Sequence, residues 1–583
     1  MRKYFAVGMV FLALLVVILG RLAYITLAEG EQLKAMADEQ RTRSFDYYQY
    51  ARGDFYDTLG RTLTSNEESC LVVFPTMVED AQQTAASLAT ILDIDDAIIS
   101  SRLEDNNSRT LEPYVLKTGL TSAQTTAIAK GNIRGILALP LAARYSSERT
   151  ANHLLGVLSP ADASGEYHGA SGLEYQYDEY LSGRQDKQVV AFVDASGNLS
   201  AENLYLVAPE QTSYNNVQLT INLDYQQIAE RAFGEQSGAC VILDPNNGDI
   251  LAAVSSPSYD PYGWADLAAD DVYINKAFSS YPPASTFKII LAAAALENNV
   301  IPLTEGEHGT DSADSSAVLP FDAGEAVDSE DSAVVTGAAA ASVVQQNKFY
   351  CDGAYTLTDG YDVACWFEEG HGEITPSEAL AESCNCYFVG LGLAMGGDMI
   401  KEYAERFGLS RQSIIGYNFA DTTHIDFSSL IDGDVANASI GEKGIRITPL
   451  QSAVMTAVCA NGGYLLTPRL VKGVYDNNNN ILEEFPQGEK TQTIPSEIAQ
   501  NLKMMMTQTV TSGTGTGAAG SYTDVAGKTG TSEDAGVWFT GFSPIENPRW
   551  VISVYVTDGS LGSSAAATIF REIVDGLAVL EGI

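Results

Sequence analysis

The stretch that decides the fold is YPPASTFK, residues 281–288, which places Ser285 and Lys288 three positions apart at the start of an apolar run. If the two prolines open a helix, both side chains lie on one face, one turn apart. A lysine amine whose pKa is lowered by burial and neighbouring cations can accept the serine proton. The pattern predicts serine–lysine catalysis, and the alternative is an N-cap serine followed by a lysine whose amine reaches solvent.

Two further short motifs follow along the chain. They are Ser383-Cys384-Asn385 and Lys528-Thr529-Gly530-Thr531. Alone, the first is equally typical of a polar turn between a helix and a loop, and the second of a strand that ends in a glycine turn. Together and in this order, the three motifs are specific. The apolar residues on both sides of the last motif predict that Lys528 lies on an edge strand.

The five histidines lie outside any arrangement typical of a histidine-dependent hydrolase. No Gly-x-Ser-x-Gly stretch and no His-Asp arrangement accompanies them. They are His153, His168, His308, His371 and His424. The sequence therefore favours catalysis by serine and lysine without histidine.

The seven cysteines are too few for a disulfide scaffold and too irregularly spaced for a zinc site. Cys384 and Cys386 suggest a metal pair, but no second pair of cysteines or histidines stands at a matching spacing. We interpret most cysteines as small buried apolar residues, and we expect no metal. In an oxidising compartment, Cys351 and Cys365 are also predicted to be able to form a disulfide.

Composition limits the partners of the chain. Its 583 residues predict two to four folded units. Asp and Glu outnumber Lys and Arg by 75 to 33, and the formal net charge is −42. Such a surface argues against nucleic acid as a partner. The acidity fits solubility in an aqueous compartment, and the alternative is a salty habitat or a cation-rich wall.

The amino terminus carries the signal for the membrane. Arg2 and Lys3 precede a long apolar run to Ala28 that is interrupted only by Arg21. The run approaches the thickness of the hydrocarbon core when helical, and the preceding cations favour a cytoplasmic start. We expect a single-pass anchor over residues 1–28 with the rest of the chain outside the cell membrane. The alternative is a signal peptide cleaved after Thr26-Leu27-Ala28.

The distribution of the motifs predicts that the remaining chain has two parts. Residues 29–205 mix short strand-like runs with helical patterns and hold no catalytic constellation, whereas residues 206–583 hold all three motifs. The strand-like segments 240–243 and 250–254 flank a turn-rich connector, which predicts a hairpin. No Lys or Arg lies between Lys288 and Lys348, and we interpret this acidic stretch as a solvated insertion.

With these motifs the chain resembles a class B penicillin-binding protein. Further segments resemble landmarks of that family, at 52–57, 60–61, 169–174, 181–183, 219–224, 448–451, 461–463 and 538–542. The resemblance covers nearly the whole chain. It implies an α+β architecture with a membrane anchor, an elongated non-catalytic pedestal of the dimerisation-domain type, and a β-lactamase-like serine transpeptidase domain whose antiparallel sheet is flanked by helices.

The resemblance also implies roles for the motif residues. Ser285 would be the acylated nucleophile, Lys288 its general base, Ser383 a proton relay, and Asn385 the group that holds the substrate amide. Lys528 and Thr529 would bind the substrate carboxylate, and Gly530 would let the backbone approach. The amides of Ser285 and Thr531 would form the oxyanion hole. No cofactor is implied.

The resemblance further implies three partners, which are peptidoglycan stem peptides, β-lactam antibiotics and a SEDS-family glycan polymerase in the same membrane. The rival functions are a D,D-carboxypeptidase or β-lactamase, which would use the same serine with water as acceptor, and an inactive penicillin sensor. Two departures from the family pattern stand out. Pro283-Ala284 replaces a usual Pro-Gly, and Gly441-Glu442-Lys443-Gly444 replaces a usual Gly-Gln-Gly.

Overall fold

The chain divides into two compact units, and its described residues include one helix long and apolar enough to cross a membrane. The computed structural model describes residues 2–31, 33, 36, 42–47, 50, 52–109, 113–159, 167–182, 188–193, 199–207, 214–261, 270–301, 348–411, 413–419, 423–425, 431–532 and 535–583. The first unit comprises residues 1–52, 64–147 and 183–214, and the second comprises 53–63, 148–182 and 215–583. Segments 53–63 and 148–182 thus pack with the motif-bearing part of the chain. The acidic stretch that we interpreted as an insertion falls mostly outside the described residues.

Helix α1 spans Arg2–Ala28. Its apolar side chains are exposed along its length, and its segment Tyr4–Ala28 is long and apolar enough to cross a membrane. A helix with apolar residues all round needs an apolar environment, since water penalises such a surface. This helix is therefore consistent with the predicted membrane anchor.

The first unit is built on two antiparallel sheets, with strand orders β4-β3-β5 and β1-β6-β7. Alternate residues of the first sheet, among them Cys70, Val72 and Leu139, form a small apolar core. Asp80 caps the second helix by accepting hydrogen bonds from the amides of Gln82 and Gln83. The elements are β1 Thr42–Asp46, β3 Asn66–Val73, α2 Ala81–Leu92, α3 Asp96–Arg109, β4 Tyr114–Lys117, α4 Ser122–Gly131, β5 Ile136–Ala143, β6 Gln188–Val193 and β7 Leu199–Val207.

The second unit is organised by a five-stranded sheet in the order β10-β9-β23-β22-β21, in which every neighbouring pair is antiparallel. Its strands are β9 Gly238–Leu243, β10 Ile250–Ser256, β21 Ala526–Ser532, β22 Gly536–Ser543 and β23 Trp550–Val556. Strands β9 and β10 form the predicted hairpin, which is confirmed. Strand β21, which carries the third motif, is an edge strand, as predicted.

Helices cover both faces of this sheet, which confirms the predicted fold class. The helices at 223–233 and 563–581 pack on one face through residues such as Phe233 and Phe570. The helix at 449–460 packs on the other face. Its start at Thr448 is a capping box, because the Thr448 hydroxyl accepts from the amide of Gln451 and the Gln451 side chain accepts from the amide of Thr448.

The other elements of this unit surround the central sheet. A second sheet has the order β19-β18-β8-β2, and four two-stranded ribbons pair β11 with β14, β12 with β13, β15 with β16 and β17 with β20. The helices are α5 Asn152–Leu155, α6 Gly172–Gln176, α7 Asp178–Leu181, α8 Leu223–Phe233, α9 Lys288–Glu297, α10 Pro376–Ala381, α11 Asn385–Met395, α12 Gly397–Arg406, α13 Asp432–Ser439, α14 Pro449–Ala460, α15 Ser496–Thr511 and α16 Ser563–Glu581. The remaining strands are β2 Phe55–Tyr56, β8 Asn215–Leu219, β11 Phe349–Cys351, β12 Ala354–Thr356, β13 Asp362–Ala364, β14 Gly372–Ile374, β15 His424–Ile425, β16 Ile445–Arg446, β17 Tyr464–Leu466, β18 Val471–Asp476, β19 Ile481–Glu484 and β20 Lys490–Gln492.

Candidate active site

Ser285 lies in a tight turn that leads directly into a buried helix. The turn is a 3-10 helix, Ala284–Phe287, and α9 begins at Lys288. The two prolines before it favour such a start, because a proline lacks the amide proton that a first helical turn leaves unused. Ser285 is half-buried, whereas Lys288 is fully buried. The fold thus leaves the hydroxyl accessible and encloses the amine.

The residue before the serine adopts an unusual backbone conformation. Ala284 has a φ of 48°, in the left-handed region that favours glycine. Its amide donates to the carbonyl of Gly441 at 3.2 Å, which ties the turn to the loop after α13. A non-glycine residue in this region costs about 1 to 2 kcal/mol. The departure from the family's usual glycine is therefore accommodated at some cost in strain.

Lys288 is held by the second motif. Its Nζ donates to the carbonyl of Ser383 at 2.8 Å and to Asn385 Oδ1 at 2.7 Å, and Ser383 Oγ lies at 3.4 Å. Burial lowers the pKa of Lys288 to about 8, although neighbouring thiols and Glu442 act in the opposite direction. At pH 7 about a tenth of this amine is therefore neutral and able to accept a proton, and the neutral fraction reaches about half near pH 8.

Ser383 connects the two lysines of the site. Its Oγ accepts a hydrogen bond from Lys528 Nζ at 2.9 Å, and its backbone has a φ of 55°. Lys528 also donates to the carbonyl of Thr529 at 2.9 Å. Burial, and then the charge of Lys288, lower the pKa of Lys528 well below its ordinary value. The Ser383 hydroxyl can therefore pass a proton between two amines.

Lys528 lies on an edge strand, as predicted, but its side chain is not exposed. It is fully buried, and its Nζ reaches Ser383 Oγ. Replacement by alanine would therefore leave a cavity as well as remove a charge. A test of its chemical role needs an apolar side chain of similar length.

The other predicted residues lie around this pair. Asn385 Nδ2 donates to the carbonyl of Ala364, and Thr529 Oγ1 lies 2.7 Å from Thr514 Oγ1. Thr531 is exposed and pairs with Val537 on β22. A Cβ added to Gly530 would lie 3.0 Å from the carbonyl oxygen of Pro283. The absence of a side chain at Gly530 thus allows β21 to approach the nucleophile turn.

Sequence reasoning missed a cluster of sulfur atoms beside the second motif. The ligand atoms of Cys351, Cys365, His371 and Cys384 all lie within 4.8 Å of one another. The three cysteines are buried, and His371 Nδ1 faces Cys365 Sγ at 3.6 Å. All seven cysteines of the chain are free thiols. The spacing argument against a metal site does not hold in the folded chain, because β11, β13 and the start of α11 bring distant residues together.

The chemistry of this cluster suits a soft divalent metal ion. Three thiolates and one imidazole match a tetrahedral Cys3His zinc site, whose ligand atoms lie about 2.0 to 2.3 Å from the ion. In a tetrahedral site such ligands lie about 3.3 to 3.8 Å from each other, so movements of roughly 1 Å would close the cluster around an ion. Without a cation, neighbouring thiols compete for protons, and the hydrogen bond from Cys384 lowers the pKa of Cys351 to about 5. Cys384 sits between Ser383 and Asn385, so an ion here would fix the second motif.

The segment around Cys365 also contacts both ends of the second motif. Trp366 Nε1 donates to the carbonyl of Glu382, one residue before Ser383, at 2.9 Å. The carbonyl of Ala364 accepts from Asn385. The short segment from 364 to 366 therefore supports both ends of the motif, and no local pattern in the sequence indicated this.

Comparison with known proteins decides the family. The model of the penicillin-binding protein transpeptidase domain matches residues 238–315 and 332–575, which include all three motifs. The chain belongs to the class B penicillin-binding proteins. The model of the penicillin-binding protein dimerisation domain matches residues 48–219 of this penicillin-binding protein.

Curated relatives match along most of their length. The penicillin-binding protein is 26% identical to Stage V sporulation protein D of Bacillus subtilis over 95% of this chain and 82% of that protein. It is 30% identical to the peptidoglycan D,D-transpeptidase PbpA of Mycolicibacterium smegmatis over 62% of this chain and 72% of that protein. It is 23% identical to the peptidoglycan D,D-transpeptidase MrdA of Escherichia coli over 90% of this chain and 86% of that protein.

A solved structure supports the fold. The D,D-transpeptidase domain of a peptidoglycan glycosyltransferase from Eggerthella lenta superimposes with a TM-score of 0.58 and 22% identity. The match covers 92% of this chain and 99% of that one. At this level of identity the likeness concerns the fold alone.

Proposed function

We propose that this penicillin-binding protein is a peptidoglycan D,D-transpeptidase that cross-links stem peptides through an acyl-enzyme on Ser285, and that β-lactams acylate the same serine. The observation that carries the proposal is the position of the Ser383 hydroxyl, which lies between the amines of Lys288 and Lys528. Two buried amines joined by one hydroxyl, beside a half-buried serine, form a proton-transfer path that needs no histidine.

In this mechanism Lys288 is the general base. Its neutral amine takes the proton of Ser285 as Oγ attacks the carbonyl of the penultimate D-alanine of the donor peptide. The amides of Ser285 and Thr531 would stabilise the oxyanion. The C–N bond then breaks, the proton passes through the Lys288–Ser383–Lys528 path to the leaving amine, and the terminal D-alanine departs. An acceptor amine attacks the ester, a new C–N bond forms, and Ser285 regains its proton.

Lys528 and Thr529 would bind the terminal carboxylate of the donor. The carboxylate would raise the depressed pKa of Lys528 and favour its charged form, since an opposite charge within hydrogen-bond reach stabilises an ammonium. Asn385 would orient the donor amide while it holds Lys288 through Oδ1. Gly530 would let the donor backbone lie close to the edge of β21.

We propose that α1 remains as a single-pass anchor and that the rest of the chain is extracytoplasmic. In that arrangement residues 29–205 serve as the pedestal and residues 206–583 as the transpeptidase domain. A SEDS-family polymerase in the same membrane would supply the glycan strands. Arg2 and Lys3 on the amino-terminal side of α1 support this orientation.

The product of the reaction distinguishes this proposal from a carboxypeptidase. The purified protein, given a peptide that ends in D-Ala-D-Ala and a peptide with a free amine, is expected to release D-alanine and form a cross-linked dimer, both measured by mass spectrometry. Release of D-alanine with hydrolysed donor as the sole product would favour the carboxypeptidase. No release under conditions in which β-lactam acylates Ser285 would favour the sensor.

Lys528→Met is expected to lower the rate of β-lactam acylation about ten- to a hundredfold, since a charge-assisted contact to a carboxylate is worth about 1.5 to 3 kcal/mol. Methionine has a similar length and fills the buried space that alanine would leave empty. The measurement compares acylation rate and melting temperature with wild type. If the melting temperature collapses while the folded fraction acylates normally, Lys528 is a structural residue.

We also propose that Cys351, Cys365, His371 and Cys384 hold one zinc ion with a structural role, because four protein ligands leave no open position for substrate. Protein purified without chelator is expected to contain about one zinc per chain by elemental analysis, and chelation is expected to lower its melting temperature. Cys365→Ala should lose the metal. Cys459→Ala, which changes a cysteine buried in α14 outside the cluster, is the matched control and should retain it.

The zinc content, combined with a count of free thiols in the denatured protein, tests the predicted disulfide between Cys351 and Cys365. Seven free thiols in the denatured protein, together with bound zinc, would exclude the disulfide. Five free thiols and no zinc would support it and overturn the metal site.

A further inference from the structure

One hydroxyl outside the three motifs lies between the second motif and the third. Thr514 belongs to the segment that follows α15, and its Oγ1 lies 2.7 Å from the Oγ1 of Thr529. The same hydroxyl donates to the carbonyl of Ala381 at 3.1 Å. Ala381 is the last residue of α10 and comes shortly before Ser383. Thr514 therefore connects the chain that leads into the second motif with a residue that we assign to the donor carboxylate.

Main-chain contacts fix the position of Thr514. Its amide also donates to the Ala381 carbonyl, at 3.0 Å. The last carbonyls of a helix have no partner within the helix, and this one accepts from Thr514. A Cβ added to Gly513 would lie 2.3 Å from the same carbonyl oxygen, so the absence of a side chain there lets the segment come this close. Thr514 is thus held against the end of α10 with its hydroxyl beside Thr529.

The hydroxyl protons of this pair are limited in number. A threonine hydroxyl has one proton to donate and two lone pairs that accept. The contact with the Ala381 carbonyl uses the proton of Thr514, because a carbonyl oxygen only accepts. Thr529 must then donate its own proton to Thr514 Oγ1 to form the 2.7 Å contact. In this arrangement the proton of Thr529 is not available to a carboxylate.

A second arrangement of the same atoms frees the proton of Thr529. If Thr514 donates to Thr529 instead, the Ala381 carbonyl still accepts from the Thr514 amide and keeps a partner. Thr529 Oγ1 then accepts from Thr514 and, at the longer distance of 3.4 Å, from Lys528 Nζ. With both lone pairs of Thr529 occupied, its proton is free to donate to a carboxylate.

We propose that Thr514 is a positioning residue for the donor carboxylate, and that its hydroxyl turns from the Ala381 carbonyl to Thr529 when the carboxylate binds. The inference rests on the proposed function, in which Thr529 binds this group. No covalent bond changes, since two hydroxyl protons only rotate. Linked hydrogen bonds polarise one another, so a Thr529 hydroxyl that accepts from Thr514 is a better donor. Lys528 supplies the charge for the carboxylate, and the pair of hydroxyls supplies the direction.

The first test removes the Thr514 hydroxyl and compares two antibiotics. Thr514→Val keeps the shape of the side chain and is expected to lower acylation by a penicillin about three- to tenfold. The loss should lie mainly in the affinity of the initial complex, which stopped-flow kinetics over a range of antibiotic concentrations separate from the chemical step. With the methyl ester of the same penicillin, whose carboxylate is blocked, Thr514→Val should react like wild type. Thr514→Ser, which restores the hydroxyl, should regain most of the wild-type rate.

The second test is a double-mutant cycle, which shows whether Thr514 acts through Thr529. Thr529→Val removes the hydroxyl that would meet the carboxylate. If Thr514 only orients that hydroxyl, the double variant that carries both substitutions should be acylated at the rate of Thr529→Val alone. Losses that multiply in the double variant would show that the two hydroxyls act independently, and would overturn the inference.

Thr511→Val is the matched control. Thr511 is the exposed last residue of α15, and its hydroxyl donates within that helix to the carbonyl of Gln508 at 3.4 Å. This variant should be acylated like wild type. Melting temperatures identify a purely structural role. If Thr514→Val melts at a lower temperature while its folded fraction reacts with penicillin like wild type, Thr514 supports the fold alone and the inference is wrong.

The outcomes separate this inference from the proposed function. Equal losses with penicillin and its methyl ester, or no loss with either, would overturn the role of Thr514 while acylation of Ser285 continued to support the transpeptidase. Absence of acylation in the wild-type protein would overturn the proposed function itself.

Discussion

Ser285→Ala is expected to abolish covalent labelling by a β-lactam. The strained cyclic amide of the antibiotic presents its carbonyl where the donor carbonyl would lie, and the half-buried Ser285 stands three residues before the buried Lys288 with which α9 begins. Alanine removes the nucleophile and otherwise preserves the turn. The measurement is intact-protein mass spectrometry after incubation with excess antibiotic, followed by peptide mapping of the wild-type adduct to Ser285.

Ser279→Ala is the matched control for this loss. Ser279 lies six residues earlier in the same unit, and its hydroxyl donates to the carbonyl of Asn275 at 2.9 Å. This variant should be labelled like wild type. An adduct mapped to another residue, or labelling that survives in Ser285→Ala, would contradict the assignment of the nucleophile.

Two parts of the central sheet, a hairpin and an edge strand, could be predicted from the sequence because each rests on local signals. The hairpin of β9 and β10 follows from two apolar runs around a turn-rich connector, and the edge position of β21 follows from the apolar residues on both sides of the third motif. Short-range patterns of this kind decide strands and helix starts before any tertiary contact is known.

The sulfur cluster could not be predicted because its spacing carries no local signal. Cys351, Cys365, His371 and Cys384 are spread over 34 positions, and the pairing of β11 with β14 and of β12 with β13, together with the start of α11, brings them together. The contact of Thr514 with Ala381 spans 133 residues in the same way. Sites assembled by tertiary structure from single residues leave no motif to find.

The burial of the Lys528 side chain could not be predicted from the position of its strand. The sequence indicates that the strand lies at the edge of the sheet, and that is confirmed. It does not indicate the path of the side chain, which depends on where Ser383 lies in the packed structure. A residue can therefore sit on an exposed edge and still have a side chain that is 0% exposed.

Lys288→Met is expected to lower β-lactam acylation about a hundred- to ten-thousandfold, the range that a positioned general base contributes. Methionine approximates the length of the lysine and avoids an empty space in the core around α9, so the fold should persist. The lost group is the amine that lies 2.7 Å from Asn385 and faces the Ser383 hydroxyl. Stopped-flow acylation kinetics together with thermal unfolding measure both effects.

The pH dependence of acylation tests whether Lys288 acts as a base. A base must be neutral, and burial lowers the pKa of Lys288 to about 8. Acylation by wild type should therefore rise as the pH increases through about 8 and level off above it, when the amine is mostly deprotonated. Lys503→Met is the control, because Lys503 is a partly buried lysine that donates to the carbonyl of Ile545 outside the motifs. It should keep the wild-type rate and profile. A flat profile in wild type, or a Lys288→Met variant within tenfold of wild type, would show that another group takes the serine proton.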